Sequence, residues 1–252
     1  MLGSEKPISA PKRTSDMSNL TSVLKVDSLE AWYGESQVLF GASLDVREGE
    51  TVTLLGRNGA GKTTTLRSIV GLVRRRRGAI SLGHKDLIAL PVHRVARTGL
   101  GYVPEERGIF ASLSVEENLR LPPQIAEGGL SVPEIFQMFP NLEERRNSPG
   151  TKLSGGEQQM LAIARVLRTG CRVLLLDEPT EGLAPVIVQQ IGELLRDLKN
   201  RGYTILLVEQ NFRFASKLAD RFYVMENGRI IDALTAAEVK NRSGALHQYL
   251  GV

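Results

Sequence analysis

Three short segments carry residue types and spacings that can do chemistry. The first, Gly56-Arg-Asn-Gly-Ala-Gly-Lys62-Thr63, matches the phosphate-loop pattern G-x-x-x-x-G-K-[ST] in full. Glycines at Gly56, Gly59 and Gly61 let backbone N–H groups converge on phosphate oxygens with no Cβ in the way. Arg57, Asn58, Ala60 and Thr64 complete the candidate phosphate-contacting stretch, and a following helix would aim its positive end at the same oxygens. Lys62 is expected at the β- and γ-phosphates and Thr63 on Mg²⁺. The second segment is the apolar run 173–176 closed by Asp177 and Glu178. Two adjacent carboxylates can divide the work, Asp177 holding the Mg²⁺ shell and Glu178 polarising the attacking water as general base. The third is Leu153-Ser-Gly-Gly-Glu-Gln-Gln159. Ser154 suits a helix N-cap, and its hydroxyl with the N–H groups of Gly155 and Gly156 makes a second anion site, with Glu157 opening the helix. A glycine loop that merely turns, or acidic residues that merely open a loop, is the bland alternative. The strand-loop-helix context weighs against it.

The surrounding pattern says what must hold these groups. Alternating and β-branched apolar residues predict strands over 23–33 and 38–46, joined by a turn at Gly34. After a turn at Gly49-Glu50, a strand over 51–55 delivers the chain into the glycine loop, and Leu66, Ile69 and Val70 predict a helix over 62–72. Strands are expected over 79–82 and 100–103, with Arg74–Arg77 as a solvated turn before the first of them. Residues 106–165 change character and predict a helical subdomain. Ser114-Val-Glu-Glu117 resembles a capping box, Pro122, Pro123, Gly128 and Gly129 break the middle, and helices are expected over 135–139 and 160–167. The continuous apolar runs 173–176 and 204–208 suit strands buried on both faces of a parallel sheet, with a helix over 186–198 between them. Asn227-Gly228 between 222–225 and 229–231 predicts a hairpin.

Composition sets outer bounds. The chain has 252 residues, 42% of them hydrophobic, enough for a core without disulfides. Cys171 is the single cysteine and is expected to be a buried thiol in a reducing compartment. Lys and Arg number 32 against 28 acidic residues, a net charge of +4 that singles out no partner class. No run approaches the length of a membrane span, and no signal peptide is visible, so a cytoplasmic protein is expected. The Ser-, Pro- and Lys-rich residues 1–21 read as a flexible extension, and 22–252 as one domain.

The order phosphate loop, Leu-Ser-Gly-Gly-Glu, then strand with two carboxylates resembles the ATP-binding-cassette (ABC) ATPases over about residues 22–252. Within them the chain is similar to the smaller ATPase of branched-chain amino acid importers. The residues that narrow it are Val103-Pro-Glu-Glu-Arg-Gly-Ile-Phe110, Val115-Glu-Glu-Asn-Leu119, Gly182-Leu-Ala-Pro185, Val208-Glu-Gln-Asn211 and the closing Tyr249-Leu-Gly251. The resemblance implies a phosphate-loop α/β core with an antiparallel β subdomain and an inserted helical subdomain, and a cofactor set of ATP and Mg²⁺. It implies a head-to-tail dimer with a second such ATPase, in which Ser154–Gly156 faces the nucleotide of the other subunit. It also implies two membrane permeases, a periplasmic solute-binding protein and a peripheral place on the cytoplasmic membrane face, with no nucleic acid. Tyr33 falls where the family stacks an aromatic ring on adenine. Glu105 stands where a Mg²⁺-sensing Gln is usual, and Gln210 where a His that contacts the γ-phosphate is usual. Urea or short-amide import is a close alternative. A soluble cassette acting on ribosomes or DNA, or a catalytically dead subunit, is a more distant one.

Overall fold

The computed structural model describes residues 22–241. The expected extension over 1–21 and the closing Tyr249-Leu-Gly251 lie outside the described residues.

Two sheets share the chain. Strands β1 (Ser22–Tyr33), β2 (Ser36–Arg47), β4 (Arg75–Leu82) and β5 (Lys85–Asp86) form an antiparallel sheet in the order β2-β1-β4-β5. Strands β3 (Thr51–Leu55), β6 (Leu100–Val103), β7 (Val173–Asp177), β8 (Thr204–Glu209), β9 (Arg221–Glu226) and β10 (Arg229–Thr235) form the second, in the order β10-β9-β3-β8-β7-β6. All pairings there are parallel except the β9–β10 hairpin. Asn227 and Gly228 turn that hairpin with φ of 47° and 74°, the doubly positive geometry that Asn-Gly favours.

Side chains of a strand alternate between faces, so each central strand feeds two cores. Val173, Leu175, Leu206 and Val208 join the core shared with the antiparallel sheet and helix α1 (Lys62–Ile69). Leu174, Leu176, Ile205 and Leu207 join the core on the opposite face. There they meet helices α6 (Gly155–Arg168) and α7 (Pro185–Asn200) through residues such as Leu161, Ile163, Ile191 and Leu195. The full burial of β7 and β8 explains their unbroken apolar sequence. A short helix α2 (Val92–Val95) precedes β6, and the helical residues between β6 and α6 form α3 (Val115–Arg120), α4 (Val132–Met138) and α5 (Pro140–Glu144), packed into the same second core. Helices α3, α4 and α6 open on Ser114, Ser131 and Ser154, each in a capping box with the Glu three residues on. Cys171 is buried, donates to the Val166 carbonyl, and has its thiol pushed up to about 11 by burial, which makes it an inert packing group.

Several expectations are corrected in detail. Helix α1 ends at Ile69, short of Leu72, because Gly71 takes φ 86° and the N–H of Leu72 returns to the Arg67 carbonyl at 2.8 Å. Helix α4 begins three residues earlier than its apolar spacing suggested, where Ser131 caps it. Helix α6 begins at Gly155 behind the expected Ser154 cap, two residues before Glu157. Arg75–Arg77 is strand, not solvated turn: Arg75, Arg76 and Arg77 pair with Trp32, Ala31 and Glu30. Arg75 and Arg77 lie over the Trp32 ring at 5.2 and 5.6 Å, while Arg76 turns inward onto the carbonyls of Val73, Leu87, Ile88 and Leu90. Arg75 and Arg77 stay exposed, as a solvated stretch requires, while Arg76 is drawn onto main-chain acceptors.

Candidate functional site

The carboxyl ends of β3, β7 and β8 lie side by side, because these strands are adjacent and parallel with Leu54 level with Val208 and Asp177 level with Val208. Loops leaving these ends must therefore meet, the usual ligand position for an open parallel sheet.

Gly59 and Gly61 of the loop after β3 adopt φ of 81° and 108°, which L side chains rarely adopt. At Gly61 a Cβ would also meet Leu39 at 2.9 Å, and at Gly56 it would meet the Met225 carbonyl at 2.5 Å. Helix α1 starts at Gly61 with no side-chain cap, so its first N–H groups are not spent on the chain's own side chains. A hollow of about 400 Å³ faces that helix start, lined by Tyr33, Val38, Asn58, Gly59, Gly61, Lys62, Thr63, Thr64, Glu105, Glu178 and Glu181. Gly56, Arg57 and Ala60 line the other side of the loop, towards the β9–β10 hairpin, where the Gly228 N–H donates to the Ala60 carbonyl at 2.8 Å.

Lys62 is 4% exposed, and its ammonium lies 3.0 Å from Glu178 Oε1 and donates to the Arg57 carbonyl at 3.2 Å. Thr63 Oγ1 donates to Asp177 Oδ1 at 2.9 Å and the Tyr102 hydroxyl donates to Oδ2 at 3.1 Å. Burial raises the Asp177 carboxyl above its ordinary range despite these two donors, and raises the Tyr102 phenol as well. A nearby cation reverses that penalty on Asp177. Glu178 leaves the strand with φ 43°, a left-handed turn that points its carboxylate at Lys62. The cost of such a turn in a non-glycine residue is about 1–3 kcal/mol. It is held by the Glu178 N–H on the Val208 carbonyl at 3.0 Å.

Tyr33 is 47% exposed at the mouth of the hollow, while its neighbour Trp32 is engaged by Arg75 and Arg77. Glu105 lines the hollow. Gln210 does not; its amide donates to Glu181 Oε2 at 2.7 Å, and Glu181 lines the hollow in its place. Ser154, Gly155, Gly156 and Glu157 are not in the lining either. Ser154 Oγ accepts from the Glu157 N–H at 3.3 Å, and Glu157 Oε2 accepts from the Ser154 N–H at 2.7 Å while Oε1 meets Arg145 at 3.4 Å.

Tyr102, Thr180 and Glu209 are site residues that the sequence reading gave no role. Glu209 carried a usable signal, since it closes an apolar strand as Asp177 does. Tyr102 and Thr180 carried none.

The oxygen donors Thr63, Asp177 and Glu105 around a helix start suit a hard cation such as Mg²⁺. Among the described residues no group of three or more His, Cys, Asp and Glu could hold a metal alone.

Comparison with known proteins follows the same line. A family described as ABC transporter matches residues 39–181. The chain is 42% identical over 232 residues to the high-affinity branched-chain amino acid transport ATP-binding protein BraG of Pseudomonas aeruginosa, covering 91% of this chain and 100% of that protein. It is 38% identical to the lipopolysaccharide export system ATP-binding protein LptB of Haemophilus influenzae, covering 91% and 98%. A solved ATP-binding subunit of an ABC transporter superimposes with a TM-score of 0.77 at 30% identity, covering 92% of this chain and all of that one. A dimeric ATP-binding cassette holding ADP and Pi superimposes with a TM-score of 0.75 at 26% identity, covering 84% and 98%.

Proposed function

The chain belongs to the ABC transporter family as an ATP-hydrolysing subunit, and from that premise we propose that it energises import of branched-chain or related amino acids. The observation that carries the solute class is the 42% identity to BraG along that protein's whole length. It exceeds the 38% identity to LptB, the observation that favours a second reading as a lipopolysaccharide-export ATPase. The two readings share a motor and differ in the membrane partner.

In either reading the residues act alike. The glycine loop and α1 N-terminus receive the phosphates, Lys62 neutralises their charge, and Tyr33 stacks on the base. Thr63 and Asp177, with Glu105 across the hollow, would hold Mg²⁺, which when bound draws charge off the phosphate oxygens. The Lys62–Glu178 ion pair gives the reaction its timing. A γ-phosphate competing for the ammonium frees Glu178 to take a proton from the attacking water. Gln210 reaches the γ-phosphate only by leaving Glu181. Ser154–Gly156 completes the site of a second subunit in a head-to-tail dimer, docked through permeases to the cytoplasmic membrane face. Among the described residues no helix is long and apolar enough to cross a membrane, so the spans belong to those partners.

The test is co-purification from source membranes with tagged Glu178→Gln chain and ATP, which holds the closed dimer. Permeases, a second ATPase and a binding protein that takes leucine are the expected result. A partner binding protein that takes urea and not leucine moves the solute, and capture of lipopolysaccharide-export permeases overturns import.

A further inference from the structure

We propose that Glu209 is a positioning residue that ties the loop bearing Glu178 to the loop bearing Gln210, so that both meet one nucleotide in register. The inference rests on the ATP hydrolysis assigned above and concerns how its parts are held.

Glu209 is the last residue of β8 and is 2% exposed. Its two oxygens serve two different loops. Oε1 accepts from the Thr180 hydroxyl at 2.7 Å, on the loop that follows β7 and continues into 182–185. Oε2 accepts from the Asn211 N–H at 3.2 Å, on its own loop, where Asn211 caps helix α8 (Phe212–Ala215) by accepting from the Phe214 N–H. A second tie, Gln210 to Glu181, joins the same loops at the surface. Glu178, in its left-handed turn, stands two residues before the Thr180 tie, and such a conformation relaxes unless its surroundings hold it.

A carboxylate is a costly choice for a purely structural peg here. Burial is the largest influence on Glu209 and pushes its carboxyl up to about 7, with the Glu178 charge adding to it and the Thr180 and Asn211 contacts opposing it. A neutral side chain of the same shape would sit there more comfortably. Its use makes sense if two acceptor oxygens on one rigid plane are what the two loops require.

The experiment is steady-state ATP hydrolysis by the full chain with Mg²⁺, beside nucleotide affinity measured separately. Wild-type turnover, run in parallel, tests the ATPase assignment on its own. Glu209→Ala is expected to lower kcat roughly 10- to 100-fold, the scale of a sub-ångström misplacement, with ATP affinity changed by no more than about twofold. Glu209→Gln, which retains an acceptor for Thr180, recovers part of that loss. Thr180→Val, which removes the donor and keeps the shape, gives a loss that does not add to that of Glu209→Ala. Amide exchange supplies a readout that needs no turnover: Glu209→Ala is expected to speed exchange at 178–184 as well as at 209–212. Turnover within twofold of wild type, losses that multiply in the double variant, or exchange confined to 209–212 would each overturn the proposal.

Discussion

Helices α1 and α6 both begin at glycine-rich segments, and their first turns are treated in opposite ways. At α1 the cap is Gly61 itself, no side chain satisfies the first N–H groups, and a buried lysine stands in the first turn. At α6 Ser154 and Glu157 close a capping box, Arg145 balances the glutamate, and the Arg107 guanidinium lies 3.2 Å from where a Cβ on Gly155 would stand. The first start is built to receive an anion, since no side chain takes its first donors and its cation stands beside them, held by Glu178 until a phosphate competes for it. The second is finished without one. What it can offer from outside is Ser154 Oγ and the N–H groups of Gly155 and Gly156, a supplement to a site made elsewhere. The contrast supports the proposed division in which α1 receives the nucleotide and α6 supplements the site of a second subunit.

The largest expected effect bears on the chemistry at the first start. Glu178→Gln should lower phosphate release by about 10²- to 10⁴-fold, the usual worth of a general base. Ser154→Ala should leave ATP binding to the single chain unchanged. Equal loss of ATP binding in the Ser154 and Lys62 alanine variants would break the contrast.

Charge around the first start gives the next effect. The Glu209 carboxyl is pushed up to about 7 in the folded chain from an ordinary 4.5, so the folded state holds this proton more tightly than the unfolded state. Its contribution to stability is therefore favourable at low pH and declines as pH rises from about 4.5 through 7, by on the order of 3 kcal/mol in total. Denaturant midpoints between pH 5 and 8 should fall in the wild type relative to Glu209→Gln. Parallel pH curves would show that Glu209 is not held at cost beside Glu178.

A smaller effect compares the glycines. Gly61→Ala forces a side chain into φ 108° and against Leu39, and should weaken ATP binding about tenfold or more, read by nucleotide titration. Gly155→Ala meets the flexible end of Arg107 most closely, with Leu183 in ordinary contact at 3.4 Å, and should change single-chain binding by less than about twofold. Equal losses would mean that α6 shares the nucleotide within one chain.

The smallest effect isolates the cap. Glu157→Ala removes the acceptor for the Ser154 N–H and should cost about 1 kcal/mol in thermal unfolding, with no change in ATP affinity. Unchanged stability would imply that α6 is held by packing alone, through contacts such as Gly156 against Ile187.

Much of this was legible in the residues. The strands of the parallel sheet announced themselves because burial on both faces forces unbroken apolar runs, and β7 and β8 have them. The glycine loop was legible because only glycine takes the φ values found at Gly59 and Gly61. The arginines of β4 stay largely exposed as expected but lie in a strand and not a turn, because nothing local says that β1, with Trp32 to receive two of them, pairs alongside. The start of α4 slipped by three residues because the Ser131 cap, not apolar spacing, set the boundary, whereas the caps at Ser114 and Ser154 were legible.

The sequence by itself marked the groups proposed for the chemistry: Lys62, Thr63, Asp177 and Glu178 are short-range patterns in which residue type suggests the role. Only the tertiary structure decided who holds them. Tyr102 reaches Asp177 across 75 residues, and Thr180 reaches Glu209 across 29. Such partners are fixed by strand order and register, which depend on the packing of the whole sheet. A hydroxyl or a carboxylate looks the same in sequence whether it faces water or closes a bond between two loops.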